Sequence, residues 1–336
     1  MGWQRAGLGT STVLGCGFFA CISGSDAADA AAIGRITIDR LTEQGYPKAY
    51  ACALVAAGSC TGVLIPPSIS YIIIGLILGI SASTLFLAAA VPGVLILMSV
   101  MITNFFVNRI KGYEDSRAGF NLRHWLRTCY DGRFAILIPF IILGGIYSGI
   151  FTPTESAAVA VVTTLIIGFL QKTIKLSDIP KMLETSAKVN GVIVPIIAMS
   201  LPLAQTLAAL EVPQVFVASM TSLTDNRYLI MIIMVIILMI AGCVMETTPN
   251  IVILAPILLP LAQEIGMNEI HFCILMITSL GIGFITPPLG LNLFVVSGVA
   301  GEPVMAISKH AVSFVVTMLA VVMLLMFVPS ISTWLL

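Results

Sequence analysis

Long apolar segments, separated by sparse polar links, constrain this chain more than any other feature. Five of these runs stand out: Phe134–Ile150, Ala157–Leu170, Val189–Leu210, Leu229–Val244 and Ala311–Val328. Each approaches the ~20 residues that an α-helix needs to cross the hydrocarbon of a bilayer. Only 10% of the residues are charged, against about 25% in a typical soluble domain. Because lipid offers the backbone no hydrogen-bond partners, the sequence predicts an all-α polytopic membrane protein.

The rest of the composition narrows the function classes. The formal net charge is zero, so nothing draws the chain toward nucleic acid. It has no G-x-x-x-x-G-K-[ST] loop and is not expected to hydrolyse a nucleotide itself. The three histidines, His124, His271 and His310, are far apart and show no metal-ligand spacing. We therefore expect no organic cofactor, no resident metal and no enzymatic activity.

The polar links orient the apolar segments. With Arg35–Lys48 placed in the cytoplasm, successive segments cross the membrane outward and inward in turn. This requires that two segments are hairpins, each of which returns to the face from which it entered. On this topology 15 of the 16 Lys and Arg residues are cytoplasmic, and only Arg227 lies outside. The basic loop Asn108–Arg133 holds six of them. An excess of Lys and Arg in cytoplasmic loops is the usual determinant of membrane orientation.

The sequence repeats itself at an offset of 221 residues, the difference between Gly266 and Gly45. At this offset the following residues coincide: Gly45 with Gly266, Cys52 with Cys273, Gly62 with Gly283, and Pro66-Pro67 with Pro287-Pro288. The first copy starts from the cytoplasm and the second from outside, so the predicted repeat is inverted. Inverted repeats with Gly- and Pro-interrupted helices are typical of carriers whose binding site lies between the repeats.

The Pro-Pro pairs predict broken helices. A proline has no N–H, so the carbonyl four residues earlier loses its helical partner. The expected orphan carbonyls are those of Gly62, Val63, Gly283 and Phe284. In hydrocarbon such a group must find another partner. A dehydrated Na⁺ is one candidate, while water or a neighbouring Ser or Thr hydroxyl is the alternative.

A short polar segment precedes each Pro-Pro pair by about 40 residues, Ser23–Asp29 in the first copy and Glu246–Asn250 in the second. Each lies between two apolar arms, as expected for the tip of a re-entrant helical hairpin. In the second tip Thr248 is the predicted N-cap, with Pro249 at the first helical position.

Three acidic residues, Asp26, Asp29 and Glu246, lie within these tips. In the first tip, Ser25 or Asp26 is the predicted N-cap. Acidic residues at membrane depth are costly and usually functional. The alternatives are helix capping for Asp26 and structural hydrogen bonding for Asp29 and Glu246. A bound cation would offset the burial of either of the last two carboxylates.

Five motifs together resemble a known family: SGSDAADAAAIGRITI, AAGSCTGVLIPPSIS, GIFTPTESAAVAVV, METTPNIVILAPILLPLA and GIGFITPPLGLNLFVVSGVAG. They resemble the large membrane subunit of TRAP transporters, the DctM-like family, from about Phe18 to the C terminus. The resemblance implies an elevator-type carrier of the bacterial inner membrane that imports a small organic acid, such as a C4-dicarboxylate or sialic acid. It implies Na⁺ as the coupling ion. It also implies two protein partners, a small four-helix membrane subunit and a periplasmic substrate-binding protein.

Transferred motif by motif, the resemblance implies three sets of site residues. The first sodium site comprises Ser23, Gly24, Ser25, Asp29, Gly58, Ser59 and Gly62. The second sodium site comprises Glu246, Thr247, Thr248, Gly283, Phe284 and Thr286. The substrate set, between the two tips, comprises Ser25, Asp26, Pro66, Thr248, Pro287 and Asn292.

The chain departs from the family pattern in two ways. The family usually has Ser where this chain has Asp26, so the ligand set of the first tip is expected to differ. The family's large subunit is also longer, and we expect this chain to be short at its N terminus.

The predicted division of the chain has four segments. Residues 1–107 form the first repeat, 108–133 the basic loop, 134–226 scaffold helices and connections, and 227–336 the second repeat. Two other functions remain alternatives at this point: an intramembrane aspartyl enzyme that uses Asp26 or Asp29, and a channel or structural membrane subunit. The enzyme would need two carboxylates facing each other across two helices.

Overall fold

A computed structural model of the chain describes residues 6–114, 122–287 and 289–336. Within these ranges all regular secondary structure is helical. The α-helices are α1 (Gly7–Ser23), α2 (Asp26–Glu43), α3 (Lys48–Ser59), α4 (Thr61–Leu64), α5 (Ile69–Leu78), α6 (Ala82–Lys111), α7 (Leu122–Asp131), α8 (Arg133–Tyr147), α9 (Pro153–Leu170), α10 (Ile179–Ala209), α11 (Val212–Leu223), α12 (Arg227–Val244), α13 (Thr247–Glu264), α14 (Glu269–Gly283), α15 (Leu291–Ala300), α16 (Val304–Phe327) and α17 (Ser330–Thr333). A 3₁₀ turn, Leu176–Asp178, precedes α10.

Length and hydropathy confirm the prediction of an all-α polytopic membrane protein. Six helical stretches of the described residues are long and apolar enough to cross a bilayer: Lys48–Leu78, Ala82–Lys111, Pro153–Leu170, Leu176–Ala209, Arg227–Val244 and Val304–Phe327. Shorter apolar helices, α1, α8, α11, α14 and α15, lie between them. Half-length apolar helices are expected wherever a spanning segment is interrupted or turns back.

The chain divides into two compact units. One contains the described parts of Met1–Phe120 together with Val212–Leu336, and the other is formed by Asn121–Glu211. The first unit therefore combines both predicted repeats, while the second contains α7 to α10. The four-segment division made from the sequence stays a prediction.

Within the first unit, the helices of the two repeats pack in a reciprocal pattern. The hairpin of α1 and α2 contacts α3, as the hairpin of α12 and α13 contacts α14. Helix α2 also packs on α15, as α13 packs on α5. Likewise α3 contacts α16, and α14 contacts α6. Each hairpin thus contacts the broken helix of its own half and the second piece of the other half. The opposite membrane orientation of the two halves stays a prediction.

Both predicted broken helices are interrupted where the sequence places proline pairs. After α3, a single turn, α4, is followed by an extended stretch that begins at Ile65 and reaches α5 at Ile69. The Pro66-Pro67 peptide is cis. Helix α14 ends at Gly283 and α15 begins at Leu291. Pro288 lies outside the described residues, so its predicted role is not assessed.

The two hairpins turn differently. In the first, Gly24 has φ of 62°, a conformation that glycine adopts at little cost, and Ser25 is the N-cap of α2. In the second, α13 begins at Thr247 with Glu246 as the N-cap. The prediction of Thr248 as N-cap, with Pro249 at the first helical position, is therefore wrong. The first N–H groups of a helix have no intrahelical partner. Proline is therefore tolerated at the third helical position, where Pro249 lies, as well as at the first.

A buried polar network fastens the base of the first hairpin. The Glu114 carboxylate accepts hydrogen bonds from the Leu8 N–H at 3.0 and 3.2 Å and from the Tyr46 hydroxyl at 2.8 Å. The Asn108 amide donates to the same hydroxyl at 2.8 Å, and its oxygen accepts from the Glu114 N–H at 3.0 Å. Burial, together with the Glu114 carboxylate, raises the pKa of Tyr46 far above its ordinary value. The network joins the start of α1 to the end of α6.

The predicted basic loop Asn108–Arg133 contains helices. It includes the end of α6 and all of α7. Residues 115–121 of this loop lie outside the described residues. The predicted scaffold segment 134–226 ends with a further short helix, α11.

The second unit is an apolar helical group of its own. Helices α8 and α9 pack together, and the Ser156 hydroxyl donates to the Ile142 carbonyl at 2.8 Å. A capping box between Thr152 and Glu155 begins α9. Several large apolar side chains of α9 and α10 are exposed, as on a surface that faces lipid or another membrane protein.

Candidate cation and substrate site

The first hairpin tip is closed by a hydrogen bond between its two ends. The Ser23 hydroxyl donates to Asp29 Oδ1, and the Ser25 N–H donates to the Ser23 oxygen at 3.3 Å. The Asp29 N–H donates to the Ser25 carbonyl at 3.1 Å. Asp29 is 0% exposed, and its second carboxylate oxygen, Oδ2, has no hydrogen-bond partner. The tip therefore presents a buried carboxylate oxygen that protein donors leave free.

The first broken helix meets this tip at Gly62. A Cβ atom on Gly62 would lie 2.7 Å from the Asp26 nitrogen and 2.8 Å from Asp29 Oδ2. A Cβ on Gly24 would lie 3.0 Å from the Pro67 carbonyl oxygen. The structure thus joins the Ser23–Asp29 tip to the break, as the first predicted sodium site requires, and only glycine permits the approach at Gly62.

Gly58 and Ser59, also assigned to the first sodium site, lie about one turn earlier. A Cβ on Gly58 would lie 3.0 Å from the sulfur of Cys16, in the first arm of the hairpin. The Ser59 hydroxyl donates to the Val55 carbonyl at 2.7 Å and lies 3.9 Å from the same sulfur. These two residues pack against α1 rather than against the tip itself.

Three of the four carbonyls expected to be orphaned by the prolines are hydrogen bonded. The Val63 carbonyl accepts from the Ser68 hydroxyl at 2.8 Å. The Gly283 carbonyl accepts from the Thr286 N–H, and the Phe284 carbonyl from the Asn292 N–H, each at 3.0 Å. At these three carbonyls another donor replaces the helical partner. A Ser hydroxyl, one of the alternatives left open by the sequence, serves Val63, and backbone N–H groups serve Gly283 and Phe284. A carbonyl oxygen has a second lone pair, so a cation is still an additional partner that each could accept.

The second tip is closed by Asn250, which stands 221 residues after Asp29. Its amide donates to the carbonyls of Ala241 at 3.1 Å and Met245 at 2.9 Å. Asn250 Oδ1 and the buried Thr247 hydroxyl oxygen have no hydrogen-bond partner. Asp29 and Asn250 thus occupy equivalent positions of the two copies. The first tip is closed by a carboxylate and the second by an amide. The sequence placed Asn250 in the tip but did not reveal this role.

The second break lies beside the second tip. The Cys243 thiol donates to the Thr286 carbonyl at 3.1 Å, and the Gly290 N–H donates to the Cys243 carbonyl at 3.2 Å. A Cβ on Gly283 would lie 2.8 Å from the backbone of Gly242. Two residues assigned to the second sodium site, Gly283 and Thr286, are therefore held next to the end of α12, close to the tip.

A cavity of about 150 Å³ opens between the second tip and the second break. Its lining residues are Gly242, Cys243, Val244, Met245, Glu246, Leu289, Gly290, Leu291 and Phe294. Glu246 is exposed here, whereas the sequence predicted a carboxylate near mid-membrane that must be neutralised. The cavity leaves room for a small solute beside this carboxylate.

Asp26 and Asn292 come together between the two halves. Asn292 is 0% exposed, and its amide points toward the Ala56 carbonyl at 3.5 Å and the Cys60 sulfur at 3.6 Å. Asp26 is 4% exposed, and its carboxylate interacts with Asn292 and with Glu246. Asp26 Oδ2 and Asn292 Oδ1 have no hydrogen-bond partner. Two residues assigned to substrate binding are thus neighbours, although 266 positions separate them in the sequence, the difference between 292 and 26.

The other residues assigned to substrate binding lie at the tips and breaks. Ser25 is half-buried beside Asp26, and Thr248 is buried in the first turn of α13. Pro66 is buried within the first break, and Pro287 is half-buried within the second. Their assignment to the substrate stays a prediction.

The oxygen atoms at the tips do not form a transition-metal site. Among the described residues, no group of three or more His, Cys, Asp or Glu side chains could hold a metal ion. What the tips offer instead is single carboxylates, hydroxyls and backbone carbonyls. Hard cations prefer such all-oxygen ligand sets.

Comparison with known proteins gives consistent matches along the chain. Residues 1–331 match the family model described as tripartite ATP-independent periplasmic transporter, DctM component. The chain is 38% identical, over 99% of its length and 78% of the relative's, to the C4-dicarboxylate TRAP transporter large permease protein DctM of Pseudomonas aeruginosa. It is 36% identical, over 98% of its length, to the isethionate TRAP transporter permease protein DctMQ of Oleidesulfovibrio alaskensis, of which it spans about half, 52%. It is 29% identical to the sialic acid TRAP transporter large permease protein SiaM of Vibrio cholerae, over 98% of its own length and 77% of that protein.

Proposed function

Because the chain belongs to the DctM component family of tripartite ATP-independent periplasmic transporters, we propose that it works as the membrane transport subunit of a Na⁺-driven secondary transporter. Its cargo is a small organic acid, imported across the bacterial inner membrane. The family is one of transporters, not of enzymes, which excludes the aspartyl-enzyme alternative.

The observation that carries the proposal of Na⁺ coupling is the free oxygen of Asp29. A buried carboxylate is costly unless it is paired or coordinates a cation. Among the described residues the one ion pair joins Lys188 and Glu184, so no Lys or Arg pairs with Asp29. The first break lies against the same oxygen, since a Cβ atom on Gly62 would fall 2.8 Å from it. A dehydrated Na⁺ bound by Asp29, Ser23 and backbone carbonyls of the tip would satisfy this carboxylate.

The second tip supports a second Na⁺ in a similar way. Thr247 presents a buried hydroxyl oxygen without a partner, and Glu246 presents a carboxylate at the adjoining cavity. The carbonyl of Thr286, in the neighbouring break, is held close to this tip by Cys243. These oxygens belong to both elements that the second predicted site was meant to join.

The space between the tips is where we place the acid group of the substrate. Helices α2 and α13 both begin at a tip, and the N-terminus of a helix favours a bound anion. The printed names of three relatives mention a C4-dicarboxylate, isethionate and sialic acid, all of them organic acids. We propose only the general class, an organic acid, for this chain, and none of these particular substrates.

The proposed assembly has two further proteins and an elevator-type movement. A small four-helix membrane subunit would cover exposed apolar helices, and a periplasmic binding protein would deliver the substrate. The hydrogen bonds and close glycine contacts that tie each tip to its break support movement of the hairpins and breaks as one body. Alternating access would then expose this body to either side of the membrane.

The test of Na⁺ coupling measures uptake by the assembled transporter in proteoliposomes that contain the binding protein. Radiolabelled succinate, isethionate, N-acetylneuraminate, taurine and aspartate serve as probes. We expect accumulation of at least one probe to depend on an inward Na⁺ gradient and to need no ATP. Uptake that continues unchanged after K⁺ replaces Na⁺, at a constant proton gradient, would overturn the proposal, as would uptake that requires ATP.

A further inference from the structure

Two buried acceptor atoms without a hydrogen-bond donor belong to neighbouring residues, one from each half of the first unit. They are Asp26 Oδ2 and Asn292 Oδ1, on residues that are 4% and 0% exposed. The Asn292 amide nitrogen is directed to Ala56 and Cys60, which leaves its oxygen available. Buried polar atoms are normally hydrogen bonded, and each exception needs an explanation. A pair of free acceptors calls for a ligand that brings donors or positive charge.

Among the described residues, none supplies a positive charge next to Asp26. The ionisable groups that interact with Asp26 are Glu246, Asp29 and Cys60, and none of them is basic. On the same helix the next basic residue is Arg35, nine positions further on, or about 14 Å at 1.5 Å per residue. Its side chain is exposed. An ionised Asp26 therefore calls for a counter-charge on a bound species.

The charge balance of the proposed transport cycle leaves Asp26 unpaired. Three carboxylates, Asp26, Asp29 and Glu246, lie at the tips, and the two proposed sodium ions offset Asp29 and Glu246. Asp26 is at the first position of α2, where the helix dipole favours a negative side chain. A substrate with only negative groups would meet this carboxylate without compensation, whereas a substrate with an additional cationic group would neutralise it.

We propose that the substrate is a zwitterion, an organic acid that also carries an ammonium or similar cationic donor group, and that Asp26 and Asn292 bind that group. This inference rests on the proposed function and adds the substrate class to it. The N–H groups of an ammonium match the two free acceptors. The cavity is linked to this pair through Glu246, which lines it and interacts with Asp26. Its apolar walls, which include Leu289 and Phe294, offer room for a short carbon skeleton. A third Na⁺ at Asp26 is the other source of a positive charge.

The site can be tested without knowledge of the natural substrate. Leu289 lines the cavity and is 44% exposed, so Leu289→Cys in the membrane complex gives a reporter thiol. Its reaction rates are measured with cationic trimethylammonioethyl methanethiosulfonate and with anionic sulfonatoethyl methanethiosulfonate, each divided by the rate with a free thiol. Rates of the parent chain are subtracted because Cys243 lines the same cavity. In saturating Na⁺ we expect the cationic reagent to be favoured about tenfold, since a charged cleft concentrates counter-ions by factors of ten or more.

Asp26→Asn in the Leu289→Cys background separates the contribution of Asp26 from that of the rest of the site. We expect this change to remove most of the cationic preference, whereas Asp39→Asn, an exposed position of the same helix, keeps it. A preference for the anionic reagent, an unaltered preference after Asp26→Asn, or a thiol that neither reagent reaches would overturn the inference.

Saturation with Na⁺ and protection by small molecules identify the source of the positive charge. If a third Na⁺ filled the site, the cationic preference would appear in K⁺ and vanish in Na⁺, and the inference would be wrong. If the substrate's ammonium group fills it, taurine will slow the cationic reagent more than isethionate does, and aspartate more than succinate. The members of each pair share their acid groups and differ in the ammonium group. Because no step needs transport or a Na⁺ gradient, failure here leaves the proposed Na⁺ coupling untouched, and failure of that coupling leaves this result interpretable.

Discussion

Gly62 lies against Asp29 so closely that a methyl group on Gly62 would fall 2.8 Å from the free carboxylate oxygen Oδ2. The same methyl group would lie 2.7 Å from the backbone nitrogen of Asp26. The Asp29 side chain could rotate away, but the backbone of the tip could not yield without moving the whole hairpin end. The contact therefore holds the tip and the break at one fixed distance.

Gly62→Ala is expected to abolish Na⁺-dependent uptake while the chain still inserts into the membrane. The added methyl group forces the tip away from the break and separates the proposed ligands of the first sodium site. The measurement is initial uptake in proteoliposomes, normalised to the amount of inserted protein. Gly298→Ala is the matched control, because nothing lies within 4 Å of a Cβ at that helical position. Uptake by Gly62→Ala at the level of the control would contradict this interpretation of the contact.

Asp29→Asn should remove the stabilisation of the protein by Na⁺. A ligand that binds the folded state stabilises it by about 2.7 kcal/mol at one hundred times its dissociation constant. Thermal unfolding of the detergent-solubilised complex, compared in NaCl and KCl at equal ionic strength, measures this effect. Asp39→Asn, an exposed position of the same helix, should retain the difference between the two salts. The first sodium site is misplaced if Asp29→Asn retains it as well.

Glu246→Ala and Glu246→Gln are both expected to abolish coupled uptake without preventing membrane insertion. Glutamine keeps the shape and most hydrogen bonds of glutamate but loses the charge that would bind Na⁺. Glu264→Gln, an exposed position at the other end of the same helix, is the control. A Glu246→Gln transporter with unaltered Na⁺ dependence would show that Glu246 is structural and that the second sodium site is wrong.

The predicted orientation places α7 in the cytoplasm and the stretch before α12 outside. An impermeant maleimide added to intact spheroplasts should therefore label Asp225→Cys but not Arg123→Cys, in excess over the parent chain. Both positions are exposed, so accessibility of the side chain does not decide the outcome. After permeabilisation both should react. Labelling of Arg123→Cys before permeabilisation would invert the topology.

Much of the fold could be predicted from the sequence, because bilayer thickness sets the length of apolar helices and proline affects the backbone within one turn. Four of the five apolar runs coincide with spanning helices, whereas Phe134–Ile150 coincides with the shorter α8. Pro66-Pro67 marked a break, although single prolines such as Pro92 lie inside unbroken helices. The helix start at Glu246 was placed two residues too late, since proline is accepted at several positions of a first turn. Helix α7 was not expected within the basic loop, because its charged residues indicated a solvent-exposed connection.

The sequence indicated which residue types lie at the buried polar positions, but not which residues contact each other there. The hydrogen bond from Leu8 to Glu114 spans 106 positions, and no local pattern specifies such a partner. The approach of Asn292 to Asp26 depends on how α15 packs on α2. Ser68 and Thr286 donate hydrogen bonds to the carbonyls of Val63 and Gly283 at the breaks. These bonds depend on the path of the backbone after each break, which the proline pairs alone do not define.

The reciprocal packing of α2 on α15 and of α13 on α5 bears on how the protein can be assembled. Each copy of the repeat covers part of the apolar surface of the other, so neither copy can bury its own core alone. Although the sequence is duplicated, the duplication does not create two autonomous folding modules. Separately synthesised halves would each expose an apolar helix face until they met, although each tip already has its own break in the same half. What only the association of the halves can create is the contact of α2 with α15, and with it the approach of Asn292 to Asp26. That pair of residues therefore forms in a late step of folding, shared between the first and the last third of the chain.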